Sequence, residues 1–413
     1  MAVKLKGKAC VGQSGGPTQV INATLVGIAE EARRHNQIEE LLGARHGVQG
    51  IMDEAFIALS KVPAERLERV AVTPGAAIGS VRLKPGEKDC RRMFEVFKKH
   101  GIRYFFYIGG DDSAKAAHVV NQMAANENYE LRIFHVPKTI DNNLMENDHT
   151  PGYGSAARFV ANAIRGDDLD NRSIPGVKVD VIMGRDAGWL TAASMLARQA
   201  EGDGPHLIYL PEAPFTVAKF IEDVRQTMEQ RGRCVVAVSE GIRDPKGSLW
   251  AAVAGEKLFE ALKDDQKDVL GKPKADAFGH HQLGGTGMLA DFLTARVKEA
   301  MDVGRVRGDT FGYLQRSFPG FWSEVDLREA RMVGRDAVRY ACTGDVDGSV
   351  ALKRAEGTNY EAYTEVVDLE AVAGKNREMP KEYIHTEGND VLNSFRDYAM
   401  PLVGDLPETE ILA

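Results

Sequence analysis

Cysteine is scarce in this 413-residue chain. The four thiols, Cys10, Cys90, Cys234 and Cys342, show no C-x-x-C spacing, and Cys10 and Cys234 fall inside apolar, strand-like runs. That distribution excludes a disulfide scaffold, and reduced structural thiols are expected. Long apolar runs are missing as well. None approaches the roughly 20 residues of a membrane helix, and Met1-Ala-Val-Lys-Leu-Lys-Gly-Lys8 lacks the apolar core of a signal peptide. No membrane association and a cytoplasmic location are the expectations. Blocks of Lys and Arg are absent and the formal net charge is −8, so nucleic acid is not an expected partner. There is no H-E-x-x-H spacing; His280-His281 are adjacent, and adjacent side chains on a helix diverge, so packing or solvent roles are expected of them. Asp345-Val-Asp347-Gly348 starts like a calcium loop, but the later ligands are missing and Lys353-Arg354 follow, so no calcium site is expected. No repeat with a period of about 20–50 residues points to a solenoid.

What is present is a large apolar fraction, 43%, enough to bury the cores of two or three domains. Buried-type strands alternate with helices. Lys8-Ala-Cys-Val11 runs into Gly12-Gln-Ser14-Gly15-Gly16-Pro17-Thr18, and helical periodicity follows from Gln19 to Arg33. Tyr104-Phe-Phe-Tyr-Ile108 ends at Gly109-Gly110-Asp111-Asp112-Ser113, after which a helix capped by Ser113 is expected. Leu131-Arg-Ile-Phe-His-Val136 ends at Pro137-Lys138-Thr139-Ile140-Asp141-Asn142-Asn143. An amphipathic helix is expected from Asp89 to His100 and another from Leu190 to Glu201. Strands at Val177–Met183, His206–Leu210 and Cys234–Val238 make up a second series, the first ending at Gly184-Arg185 and the last at Ser239-Glu240-Gly241. The alternation predicts an α/β fold: two Rossmann-like, three-layer α/β domains facing across an active-site cleft. The expected boundaries are 1–150, completed by a segment after about 314, and 151–313. Residues 340–380 fit no clear pattern, and 381–413 read as an irregular tail with a short helix.

Glycine turns at strand-to-helix junctions expose backbone N–H groups at the positive end of a helix dipole, where phosphate oxygens bind. Two carboxylates in such a turn call for a cation, and Asp111 could hold Mg²⁺ while the metal bridges phosphate oxygens. In a parallel sheet the strand C-termini line one crevice, which brings Asp141 to the same ligand. Asp141 could there accept a hydroxyl proton while the Lys138 ammonium neutralises charge on a moving phosphoryl group.

Together these turns resemble the phosphofructokinase family, and within it the pyrophosphate-dependent branch. The resemblance runs from Gly12 to about Arg316 and rests on Gly109-Gly110-Asp111, Thr139-Ile140-Asp141-Asn142, Met183-Gly184-Arg185, Glu240-Gly241 and Tyr313-Leu314-Gln315-Arg316, in that order. It implies reversible, Mg²⁺-dependent phosphoryl transfer from pyrophosphate to the C1 hydroxyl of fructose 6-phosphate, giving fructose 1,6-bisphosphate and phosphate. It further implies Asp141 as the base, Thr139 as a transition-state contact, Asp111 as the metal carboxylate, and Gly16, Gly110 and Arg82 near the diphosphate. Thr139, Ile140, Asp141, Met183, Gly184, Arg185, Glu240, Tyr313, Gln315 and Arg316 would hold the sugar phosphate. Arg307 matches an arginine that reaches it from a neighbouring subunit, which implies a homodimer or homotetramer with shared active sites.

Two positions bear on the donor. ATP-using relatives carry glycine where this chain has Asp112 and again where it has Lys138. A carboxylate at Asp112 would face the ATP α-phosphate, and two like charges about 4 Å apart cost roughly 4 kcal/mol at an effective dielectric near 20, about a thousandfold in affinity. Pyrophosphate has no α-phosphate. The chain departs from the family at Asn143, where aspartate is usual, and at Gly176, where an arginine often stands and for which Lys178 is a candidate substitute. An ATP-dependent kinase, the same chemistry on sedoheptulose 7-phosphate, and a catalytically silent regulatory subunit remain as alternatives.

Overall fold

The computed structural model describes residues 5–83, 85–254, 287–344, 346–357 and 359–412, so His280, His281 and Asp345 lie outside the described residues. The chain divides into two compact units. The first comprises Met1–Ala156 with Arg316–Arg377, the second Ala157–Gln315 with Glu378–Ala413. In chain order the strands are β1 (Gly7–Gln13), β2 (Ile38–Ala44), β3 (Phe56–Ala58), β4 (Ile102–Gly109), β5 (Arg132–Pro137), β6 (Val177–Ile182), β7 (Leu207–Tyr209), β8 (Cys234–Ser239), β9 (Val306–Thr310), β10 (Gly348–Arg354) and β11 (Ala362–Val367).

The first unit is built on a sheet ordered β11-β10-β5-β4-β1-β2-β3. Its interior pairs are parallel, and only β3 and β11, at the two edges, run antiparallel to their neighbours. The apolar run of β4 follows from burial on both faces. Tyr104, Phe106 and Ile108 join Ala9, Val11, Phe134 and Val136 under the helices Ile21–Ala32, Ala64–Ala71 and Glu324–Thr343. The alternate residues Phe105 and Tyr107 join Cys10 and Ile133 under the helices Val48–Met52, Glu87–His100 and Asp111–Asn126. That is a three-layer arrangement with the expected period of two.

The second unit carries the all-parallel sheet β7-β8-β6-β9. Val177, Val179, Val181, Cys234, Val236 and Val238 pack there against Phe220 and Val224 of the helix Val217–Arg231 and against Leu293 and Val297 of the helix Met288–Ala300. The cysteines are all buried and unpaired with one another, and burial raises the thiol pKa of Cys10, Cys90 and Cys234. No described helix is long and apolar enough to cross a membrane.

Two expectations change. The helix after β4 begins at Asp111 with Gly110 as its N-cap, and Ser113 lies inside the first turn, its N–H donating to Gly110 O. Residues 189–197 form a short α-helix, Trp189–Ala192, running into a 3₁₀ turn, Ala193–Ala197. The carbonyls of Leu196 and Ala197 accept hydrogen bonds from the Arg165 side chain, in place of a further helical turn. The short helix expected in 381–413 is Asn393–Val403, which buries Phe395, Tyr398, Leu402 and Val403, with Phe395 and Tyr398 against the Trp189 ring.

The helix Ile21–Ala32 is buried on almost every side and meets the helix Glu324–Thr343 backbone to backbone. A Cβ on Gly27 would lie 2.2 Å from Arg331 O, and one on Gly334 would lie 2.2 Å from Thr24 O. Alanine at an open helical position would stabilise by about 1 kcal/mol through propensity. Here Gly334→Ala must push two helices apart, and a loss of about 1–3 kcal/mol is expected, measurable by urea unfolding. A gain in stability would show that the helices do not touch.

Candidate active site

Strands β5, β4 and β1 are neighbours and parallel, so the turns after Pro137, Gly109 and Gln13 stand side by side. Backbone bonds fix their spacing: Lys138 N–H donates to Gly109 O (3.0 Å) and Ser14 N–H to Ile108 O (2.9 Å). The Lys138 side chain then turns under the first glycine turn. Its ammonium donates to Ser14 O (2.7 Å) and Gly16 O (2.8 Å), and the residue is 3% exposed. Gly15 takes the left-handed conformation, φ 73°, that this turn requires. The Arg316 guanidinium lies against Gly16, where a Cβ would come within 3.0 Å of Cζ. Gly15 N–H bonds to Val81 O and Ser80 Oγ donates to Gly15 O, which brings the segment carrying Arg82 to the same turn.

The charges interact strongly. Burial, then Arg316, then Arg82 lower the Lys138 pKa to about 7, against the opposing pull of Asp141 and Asp111. Asp111 is held above the usual carboxylate range by burial, by Asp112 beside it and by Asp141. Asp111 and Asp112 occupy the first turn of the helix Asp111–Asn126, where the helix dipole favours them. Three cationic side chains and three carboxylates are thus gathered at the ends of three adjacent strands.

Asp141 sits in a long connection between β5 and the helix Tyr153–Ser173. Thr139 Oγ1 accepts from Asp141 N–H (3.1 Å), Thr139 O accepts from Thr150 Oγ1, and Thr139 forms a parallel bridge with Gly152. Ile140 is buried and Asn142 is left-handed, φ 56°, with its Oδ1 accepting from Thr150 N–H. The Asn143 amide donates to Asn376 Oδ1 (2.8 Å).

In the second unit, Met183-Gly184-Arg185 follows β6 and Glu240-Gly241 follows the adjacent β8. The two turns interlock. Glu240 N–H bonds to Ile182 O, Ser239 Oγ donates to Gly184 O, and a Cβ on Gly241 would fall 2.2 Å from Arg185 O. Gln315 is fully buried and ties Gly312 O to Met183 N–H. Tyr313 is half exposed. Arg307 stands exposed on the edge strand β9, with a bond to Val306 O. Lys178, the candidate substitute for the family arginine, has its ammonium committed to Asp167, Asp170 and Asp309. Asp167, Asp180 and Asp309 are the one carboxylate trio that converges among the described residues, and that lysine supplies its counter-charge. Asp111, Asp112 and Asp141 do not converge in this way.

One contributor carried no sequence signal. His135, on β5, is fully buried; its Nε2–H donates to Gly109 O (2.9 Å) and its Nδ1 accepts from Ser349 Oγ (2.7 Å) on the neighbouring β10. It supports the Gly109-Gly110-Asp111 turn from below. An isolated histidine in an apolar strand gives no hint of this, because Ser349 is distant in sequence.

A parallel α/β unit with glycine turns, a buried lysine and clustered carboxylates at its strand ends is the architecture of a phosphotransferase. Residues 8–319 match the phosphofructokinase family, and the chain belongs to it. It is 49% identical over 399 residues to the pyrophosphate–fructose 6-phosphate 1-phosphotransferase of Rhodospirillum rubrum, covering 97% of this chain and 95% of that protein. It is 38% identical over 405 residues to the protein of the same name from Xanthomonas campestris, covering 96% and 91%. The crystal structure of a pyrophosphate-dependent phosphofructokinase from Marinobacter aquaeolei superposes with a TM-score of 0.82 at 32% identity, covering 98% of this chain and 94% of that one. Phosphoryl transfer in this family needs a divalent metal ion.

Burial holds the His135 pKa at about 4, below its ordinary 6.5. The unfolded chain therefore binds the extra proton between those values, so this contribution is complete above pH 6.5 and is lost as pH falls toward 4. The stability difference between wild type and His135→Gln is expected to shrink by about 2 kcal/mol between pH 7 and pH 5. Urea unfolding at the two pH values measures it, and a constant difference would show that His135 does not resist protonation.

Proposed function

We propose that the chain catalyses reversible phosphoryl transfer between pyrophosphate and the C1 hydroxyl of fructose 6-phosphate, giving fructose 1,6-bisphosphate and phosphate. The observation that carries this reading is the buried Lys138 ammonium, anchored on Ser14 O and Gly16 O beside Arg316 and within range of Arg82 and Asp111. A diphosphate set against the Gly15-Gly16 and Gly109-Gly110 turns would meet backbone N–H donors and those cations. Asp112 supplies the repulsion that disfavours a nucleotide α-phosphate. The relatives named above share the pyrophosphate-dependent activity in their names.

Under this reading Asp141 accepts the proton of the attacking hydroxyl, and Thr139, which orders the Asp141 N–H, contacts the transferring group. Lys138 and Arg316 offset charge on the phosphoryl oxygens as bonding changes. The metal is Mg²⁺, with Asp111 as the protein carboxylate. An ion that keeps several waters and takes one or two carboxylates plus substrate phosphates fits a site where the acidic groups do not converge. When bound, it would offset charge shared between phosphate oxygens. Burial and the neighbouring Asp112 and Asp141 carboxylates raise the pKa of Asp111, and a bound cation would offset that charge.

The first unit then serves as the donor domain, with Arg316 at the phosphoryl group and Ile140 shaping its turn, and the second as the sugar-phosphate domain, with Met183, Gly184, Arg185, Glu240 and Tyr313 as its fructose 6-phosphate residues and Gln315 shaping its turns. Arg307, exposed on an edge strand, reaches the sugar phosphate of a neighbouring subunit in a homodimer or homotetramer. The enzyme works in the cytoplasm, where both substrates are available.

Initial rates with magnesium and fructose 6-phosphate, comparing pyrophosphate with ATP, test the donor. Turnover is expected with pyrophosphate and not with ATP, and Asp112→Gly with Lys138→Gly should weaken the first and relieve the block on the second. Unchanged donor kinetics in the double variant would remove the donor argument. The Lys138 pKa adds a pH signature. With the free enzyme's ammonium titrating near 7, kcat/KM for pyrophosphate should fall on the alkaline side with an apparent pKa of about 7. The corresponding limb in kcat should lie higher, because bound pyrophosphate favours the charged lysine. In Lys138→Met that limb should vanish from the profile.

A further inference from the structure

The connection 138–152 carries Asp141 but contains neither helix nor strand, so its carbonyls must find partners elsewhere. Three of them find the same one. Arg377 donates from Nη1 to Asn147 O and to Asp148 O, both 2.6 Å, and from Nη2 to Asn142 O, 2.8 Å. Its main-chain N–H donates to Asn143 O (2.8 Å). Asn376 beside it accepts from the Asn143 amide and forms an antiparallel bridge with Leu144. Residues 376 and 377 therefore hold both halves of the connection, 142–144 and 147–148. The grip begins at the residue following Asp141.

We infer that Arg377 is a positioning residue for the proposed phosphoryl transfer, fixing the main chain on which the Asp141 carboxylate is carried. This rests on the reading of Asp141 given above. The guanidinium suits the task because its planar fork presents several donors in fixed directions, whereas an ammonium presents three from one point. Asn142, left-handed at φ 56°, turns its carbonyl toward Arg377 directly after the base. From the other side, Asp141 N–H is held by Thr139 Oγ1. Without Arg377 three carbonyls lose their donor and the connection shifts, while the Met183-Gly184-Arg185 and Glu240-Gly241 turns keep their own bonds. A displacement of about 1 Å at a reacting group lowers a rate by about a hundredfold. The effect should fall on kcat.

The test uses the full chain with pyrophosphate, magnesium and fructose 6-phosphate. Arg377→Ala is expected to lower kcat about 10- to 100-fold, with KM for fructose 6-phosphate within about threefold of wild type. Millimolar guanidinium chloride should restore part of kcat in that variant and none in Asp141→Ser. Arg377→Lys should lie between Arg377→Ala and wild type, and it serves as the test variant if Arg377→Ala does not fold. Amide hydrogen exchange should quicken in residues 139–150 of the Arg377 variant and stay unchanged in β1 and β4. A kcat within twofold of wild type, or kcat and KM failing together without rescue, would overturn the inference. Unchanged exchange in residues 139–150 would overturn it too, whatever the assay gives. A wild-type chain that exchanges as expected but turns over neither pyrophosphate nor ATP would count against the proposed function and leave the clamp standing.

Discussion

The structure of the first unit depends on one buried ammonium. Lys138 leaves the end of β5, and its Nζ lies against the carbonyls of Ser14 and Gly16 at the end of β1, crossing β4, the strand between them. Withdrawing a lysine from water is costly unless its donors are met, and here two are met by main-chain oxygens. Those oxygens point at Nζ only because the Ser14–Gly16 turn is sharp, and it is sharp because Gly15 adopts φ 73°. Arg316 can lie on Gly16 for a related reason: no Cβ stands in its way. One lysine therefore ties a glycine turn, with an arginine seated on it, to the end of a second strand.

The sheet makes this possible. Parallel neighbours end on the same side, and β5, β4 and β1 end within a residue or two of one another in register. The middle turn, Gly109-Gly110-Asp111, is held from below by His135 and from the side by the Lys138 main chain. A Cβ at Gly109 would fall 2.0 Å from Ser113 Oγ, so glycine there lets the first helical turn fold back against the strand. The carboxylates of Asp111 and Asp112 are presented by a short path from strand to helix, with little freedom to move away from each other. Burial and then their mutual repulsion raise the pKa of Asp111, and that repulsion is built into the backbone.

Much of this was legible in the sequence, for physical reasons. Strands buried on both faces write themselves as unbroken apolar runs, and Tyr104–Ile108 and Cys234–Val238 could hardly be anything else. Glycines after such runs mark the turns that end β1 and β4, whereas the end of β5 is marked by Pro137 and the polar residues that follow it. Other parts depend on contacts that sequence spacing does not encode. His135 needs Ser349, and Asn143 needs Asn376. The β10 and β11 strands complete a sheet begun hundreds of residues earlier, and the short segments on either side of 370 carry too few residues to show a period. Ser113 reads as a cap because serine is a good N-cap in isolation, whereas in the structure Gly110 takes the extended conformation that a cap requires. The segment Ala193–Ala197 reads as part of a longer helix because alanine-rich sequence favours one, but it forms a 3₁₀ turn, and the competing donor, Arg165, comes from another element.

Asn143 shows how a departure from a family pattern can be read once its surroundings are known. Where the family usually carries aspartate, this chain has an amide, buried and bonded to Asn376 Oδ1. A carboxylate there would have no N–H to offer that oxygen. It would also add a fourth negative charge to a region in which Asp111 is already held above its ordinary pKa by burial, Asp112 and Asp141. Relative to the ATP-using pattern, Asp112 adds a negative charge and Lys138 a positive one, and relative to the family's usual aspartate Asn143 removes a negative charge. Under the proposed reading, the sum makes the strand ends more positive, and the added carboxylate of Asp112 opposes the further phosphate of a nucleotide. A compact and highly charged donor gains from the first change and is untouched by the second. Under the proposed reading, the pair at 112 and 138 favours pyrophosphate, and the amide at 143 limits the negative charge gathered around that pair.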